Sequence, residues 1–213
     1  MRNFKNFLKF IGIGILCILL SACFSGNKYA HIEKKQYLFS FSVPHAKMSQ
    51  AKTGAPFLNI LPVMTVAAFD QNYFLYRVSS GQYLVDYYHG FLVSPASQLD
   101  AVLPSYIKKT GTFRPAPSEA LGETAFALQT KIIELYADYR DRNHPKAVAT
   151  LQFVLTTRDK GKTVVLLDQT WHSNIALKAK NAGSLINAWN NGIESDILMF
   201  LLKLKALGVS RSR

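Results

Sequence analysis

The chain has 213 residues, a formal net charge of +12, two cysteines, and 49% hydrophobic against 18% charged residues. That apolar fraction over that length supports a packed core in one generous domain and excludes a disordered chain. Cys17 and Cys23 both precede the body of the protein. A zinc ribbon, a redox CxxC pair, a cysteine nucleophile and a disulfide framework are therefore excluded from it.

In chain order, the first element is a targeting segment. Arg2, Lys5 and Lys9 form a positive region without acids, followed by the apolar run Phe10 to Leu20 and then Leu20-Ser21-Ala22-Cys23. A short apolar run between a basic start and a small-residue cleavage site describes a secretory signal peptide. At 11 residues the run is too short to span a bilayer, which needs roughly 20. Leu-Ser-Ala-Cys resembles the bacterial lipobox, which implies cleavage between Ala22 and Cys23 and acylation of Cys23. The bland alternative is an uncleaved anchor in which Cys23 is an ordinary small residue. Phe24 rather than Asp follows the cysteine, which by resemblance to enterobacterial sorting implies the outer membrane. Several acyl chains would hold the protein durably, where a single chain binds only marginally. Loss of residues 1 to 22 removes three positive charges and leaves +9 on 191 residues.

Residues 23 to 35 read as a lipidated tether, polar, basic and without a period. Lys28, Lys34 and Lys35 either touch anionic headgroups or are simply solvated. The folded domain is expected over 36 to 207, followed by a basic tail at 208 to 213. Tyr37 to Phe41 and Phe57 to Leu61 are strand-like, with a loop between them. Tyr73 to Val78 and Gln82 to Tyr88 flank Ser79-Ser80-Gly81, the signature of a hairpin. Ser94-Pro95 opens a helix as cap and first residue. Its apolar positions Leu99, Val102, Leu103, Tyr106 and Ile107 recur at helical spacing up to Gly111. Pro104 inside this pattern predicts a kink or a split into two shorter turns. Three long strands follow between Thr124 and Leu177, with a bulge at Ile132-Ile133 where the alternation changes parity and a turn at Asp159-Lys160-Gly161. From Ser184 to Leu207, Leu185, Trp189, Ile193, Ile197, Phe200, Leu201 and Leu204 predict an amphipathic helix lying on the sheet, weakened at Gly192. The fold class expected is α+β, a single-domain sandwich of a mostly antiparallel or mixed sheet with two main helices packed on it.

No motif for nucleophilic, metal or nucleotide chemistry is present, and the five histidines are scattered without ligand spacing. The expectation is no enzyme, no cofactor and no metal. Asp138, Arg140, Asp141 and Arg142 read as a charged turn rather than an acid/base pair. Trp171 and His172 alternate onto opposite faces of a strand and cannot form one site. Dispersed lysines and the lipobox argue against nucleic acid.

The order of segments resembles the ABC-type transport auxiliary lipoprotein family, of the PqiC-like outer-membrane type. The resemblance rests on Tyr37-Leu38, Ile60-Leu61-Pro62-Val63, Phe69-Asp70-Gln71 leading to Leu75-Tyr76-Arg77, Val85-Asp86-Tyr87-Tyr88, Gly90 to Pro95, and Lys109 to Phe113. Phe91 stands where the family often has Trp. The family implies an outer-membrane lipoprotein facing the periplasm, working without catalysis beside an ABC permease/ATPase complex and an MCE-domain lipid-transport protein, in some members as a homo-oligomeric ring. Arg77 is the candidate partner contact: it either holds a partner's carboxylate or pairs with Asp86 across the hairpin. The alternatives are an independent envelope-assembly or structural lipoprotein, and a periplasmic hydrolase or soluble ligand-binding protein.

Overall fold

The computed structural model describes residues 33–41, 55–117 and 126–210. In chain order its elements are β1 (Lys35–Tyr37), β2 (Phe57–Ile60), β3 (Met64–Thr65), a 3-10 turn (Ala67–Phe69), β4 (Tyr73–Ser79), β5 (Gln82–Phe91), α1 (Pro95–Thr110), β6 (Arg114–Pro115), β7 (Phe126–Asp138), β8 (Lys146–Asp159), β9 (Lys162–Ala176) and α2 (Ala182–Ser210). The nine strands form one mixed sheet.

The sheet is built around β7. One edge pairs antiparallel with β8 along its whole length, and β8 pairs antiparallel with β9. The other edge receives β2, β3 and β4 in succession, each parallel to it. β4 continues into the antiparallel hairpin with β5, and β1 lies parallel against the end of β5. β3, β6 and the 3-10 turn are too short to leave a periodic signal, and the sequence does not announce them.

Ile132 pairs with Leu151 and Glu134 with Thr150, so Ile133 is the extra residue of a bulge, as the parity change predicts. The bulge keeps Ile132, Leu135 and Ala137 in one core despite the shift, together with Ala147, Ala149, Leu151, Phe153 and Leu155 of β8. The two-residue turn from β8 to β9 places both Lys160 and Gly161 at positive φ, which matches the twist of a tight hairpin.

Both helices join the core on this face. Ser94 caps α1 by accepting from the Ser97 N–H at 3.2 Å, Pro95 takes the first position, and Gly111 ends the helix in the left-handed region at φ 67°. Of the kink or split expected at Pro104, the split does not occur: α1 runs as one 16-residue helix through it. Leu99, Leu103, Tyr106 and Ile107 are buried along a single stripe, and their packing holds the two halves together. α2 buries Leu185, Trp189, Ile193, Ile197, Phe200 and Leu204. The Trp189 Nε1–H donates to the Val148 carbonyl at 3.0 Å, Trp189 meets Phe74 edge-on at 5.1 Å, and Phe200 stacks on Phe153 at 4.5 Å. The two helices are tied by the Tyr106 hydroxyl, which donates to Glu194 at 3.0 Å.

The strand expected over Tyr37 to Phe41 stops at Tyr37. Beyond it the chain leaves the sheet, and its N–H groups find helix side chains instead: Phe39 donates to Gln98 Oε1 at 2.6 Å and Ser40 to Asn190 Oδ1 at 3.1 Å. Phe39 and Phe41 pack on the core as the aromatic pattern requires, but as a strap across the helices.

Candidate functional site

The lipidation and cleavage residues Cys23 and Ala22 lie outside the described residues, as do the tether up to Ile32 and the residues after Ser210 of the basic tail. Arg77 is within them. It lies on β4, opposite Tyr83 of β5 and beside Asp138 of β7. Its Nη1 donates to the Tyr136 hydroxyl at 3.2 Å, and its guanidinium carbon sits 5.9 Å and 5.7 Å from the ring centres of Tyr83 and Tyr136. Phe69 stacks on Tyr136 at 5.9 Å, closing a small aromatic cluster that includes Leu75 and Val148, separate from the main core.

The cross-hairpin ion pair between Arg77 and Asp86 does not form. The residue opposite Arg77 is Tyr83, and Asp86 bonds to Tyr76, the neighbour that alternation puts on the other side of the ribbon. No carboxylate among the described residues makes an ion pair with Arg77, and its buried Nε has no partner. The nearby carboxylates are engaged locally. Asp138 takes a bidentate pair from Arg140, which holds its carboxyl below the usual range, and Asp141 takes His144 at 2.9 Å. Residues 138 to 144 are thus the charged turn that the sequence predicts.

Asp86 organises a second feature. Between the pairs Tyr73 with Gly90 and Leu75 with Val85, β5 holds several extra residues. Within this bulge the Asp86 carboxylate accepts from the Tyr76 hydroxyl at 2.5 Å, the His89 Nδ1 at 2.8 Å and the backbone N–H groups of Tyr88 and His89 at 2.8 and 3.0 Å. Burial works to raise its pKa, but these four donors outweigh burial and hold the carboxyl below its ordinary value. Burial and the bond to Asp86 push the Tyr76 hydroxyl upward. At Gly90 the backbone of Asn72 passes so close that a Cβ would sit 2.3 Å from its carbonyl oxygen. The bulge turns Tyr87 and Tyr88 outward, where they line an open groove of about 540 Å³ with Tyr73, His89, Lys34 and Lys35. The hairpin is legible in the sequence; the groove is not, because regular alternation would separate Tyr87 from Tyr88.

Trp171 and His172 do face opposite sides. Trp171 packs against Phe153 and Phe200, whereas the His172 Nδ1 lies 3.0 Å from the Thr150 hydroxyl, which donates to Glu134 at 2.6 Å. The Thr150 hydroxyl spends its one hydrogen-bond donation on Glu134 and the residue is only 1% exposed, so this ladder holds three strands in register. Among the described residues no group of three or more histidine, cysteine or acidic side chains gathers to hold a metal.

No protein-family model matches the chain, and no curated protein matches it in sequence. Solved structures do match in fold. Protein XCC0632 from Xanthomonas campestris, of the family DUF330, is similar at a TM-score of 0.68 and 13% identity, over 84% of this chain and 99% of that one. An uncharacterized protein is similar at a TM-score of 0.60 and 12% identity, over 81% of this chain and 99% of that one. The α+β fold is shared over nearly the full length of both.

Proposed function

We propose that the chain is a lipoprotein anchored through Cys23 to the outer membrane and facing the periplasm. It serves there as the non-catalytic, docking component of an ABC/MCE-type intermembrane lipid transport system. The observation that carries the reading is the sequence Leu20-Ser21-Ala22-Cys23, which follows a basic start and an 11-residue apolar run and precedes the domain. The pattern from Tyr73 to Phe113 supports the transport assignment by its resemblance to the auxiliary lipoproteins. The fold shared with a DUF330 protein bears on the α+β architecture alone. No helix among the described residues is long and apolar enough to cross a membrane.

On this reading Arg77 receives a carboxylate of the partner. A guanidinium flanked by tyrosine rings, without a carboxylate of its own, is suited to that contact. The test is to purify the acylated protein from the envelope and identify what comes with it. Recovery of an MCE-domain protein with an ABC permease and ATPase, lost on Arg77→Ala at unchanged melting temperature, supports the assignment. Recovery of neither, with normal lipid exchange after deletion, overturns it in favour of an independent envelope-assembly lipoprotein. The free edge of β9 favours that second reading, since no described strand pairs with its outer side along 15 residues.

A further inference from the structure

We infer that the groove at the β5 bulge seats the phosphate of an anionic phospholipid headgroup, at the surface of the bilayer that carries the protein's anchor. The inference rests on the lipoprotein reading and adds to it a specific docking face. The groove is lined by Lys34, Lys35, Tyr73, Tyr87, Tyr88 and His89, with Asp70 as the one carboxylate facing them. Tyr87 and Tyr88 are 62% and 39% exposed, yet they stand on a bulge fixed by the four bonds to Asp86 and by the close pass of Asn72 at Gly90. Rigidly displayed tyrosines with an apolar body and a polar tip suit the membrane–water boundary.

The charge complements a phosphate surface. The Lys34 ammonium lies 4.0 Å above the Tyr87 ring, which positions a cation at the groove without neutralising it. Lysines held close to an anionic leaflet are attracted to it over about a Debye length. Geometry supplies the second argument. The 11 peptide steps from Cys23 to Lys34 reach at most about 40 Å even when fully extended. Lys34 and Lys35, the last residues of the tether, line this groove, so acylation of Cys23 raises the local concentration of headgroups there.

The mature acylated chain has no free thiol, so one cysteine can be introduced cleanly. Asn72→Cys, in the groove, and Lys160→Cys, at the β8–β9 turn, are each labelled with bimane. The acylated full-length mature proteins are placed in phosphatidylcholine vesicles with or without phosphatidylglycerol. The expected result is a blue shift and quenching by a headgroup-nitroxide lipid at position 72 but not at 160. The effect strengthens with phosphatidylglycerol, falls about tenfold in Lys34→Glu/Lys35→Glu, and resists millimolar inorganic phosphate. Equal signals at both positions overturn the inference. So does a shift at 72 that grows with protein concentration in the absence of vesicles, which marks a second copy as the occupant. Reversal by inorganic phosphate alone marks a free-anion site and overturns it as well. The mass of the mature N-terminus reports separately on Cys23. If it carries no lipid, the anchor assignment fails, and sedimentation of the unacylated chain with phosphatidylglycerol vesicles, abolished by the charge reversal, still decides the groove.

Discussion

Asp196 shows what a single buried charge does in this fold. It lies on the inward side of α2, is 5% exposed, and its Oδ2 has no hydrogen-bond partner. Burial raises its pKa to about 6, against a partial offset from Ser173 and His172. A carboxyl whose folded pKa lies above its unfolded value near 4 contributes stability below that unfolded value. The contribution is lost as pH rises through about 6. Asp196→Asn is therefore expected to stabilise the protein at pH 7 by on the order of 2 kcal/mol and to change little at pH 4. Urea unfolding at the two pH values reads the difference, and an equal effect at both would remove the explanation. The sequence marks Asp196 as a polar residue on an amphipathic helix, but the desolvation depends on where α2 meets the sheet. Arg77 carries the same lesson: hairpin register suggests Asp86 as its counter-ion, whereas a bulge that sets four residues of β5 against one of β4 turned that carboxylate toward Tyr76 and His89.

At the scale of elements, Gly192 reverses a propensity argument. Mid-helix glycine weakens a helix by up to about 1 kcal/mol relative to alanine, so Gly192→Ala would be expected to stabilise α2 taken alone. In the fold, a Cβ at that position would lie 2.8 Å from the Ser173 Cβ, and the Ser173 hydroxyl donates to the Gly192 carbonyl at 3.0 Å. Gly192→Ala is expected to destabilise by about 1–3 kcal/mol through overpacking. Gly192→Ala with Ser173→Gly should recover most of that loss in thermal unfolding. α1 follows its local signals more closely. Ser94→Ala removes the cap on the Ser97 N–H and should cost about 1 kcal/mol, measured as a lower urea midpoint at unchanged slope. Pro104 does not split α1: the stripe from Leu99 to Ile107 is buried as a unit, and that burial outweighs one lost backbone bond.

At the scale of the whole molecule, the prediction concerns where the protein is held. Cys23→Ser should abolish palmitate labelling and release the domain from membranes or leave an uncleaved precursor; labelling that persists in the variant removes the anchor assignment. The long strands, both helices, the caps and the bulge at Ile133 were legible because each repeats a pattern over enough residues, or uses turn chemistry specific enough, to be read locally. The seriated pairing of β2, β3 and β4 along one edge of β7 was not, since parallel neighbours are brought together by the course of the whole chain and leave no local mark. Nor was the groove, where residues 34 and 35 meet residues 73 and 87 to 89 through the parallel seat of β1 on β5. By itself the sequence determined the α+β class and the inward stripes, because hydrophobic periodicity acts over short stretches. Only the tertiary structure decided which side chains stand together at the surface, because a register, a bulge and a crossing strap move whole faces while leaving composition and spacing unchanged.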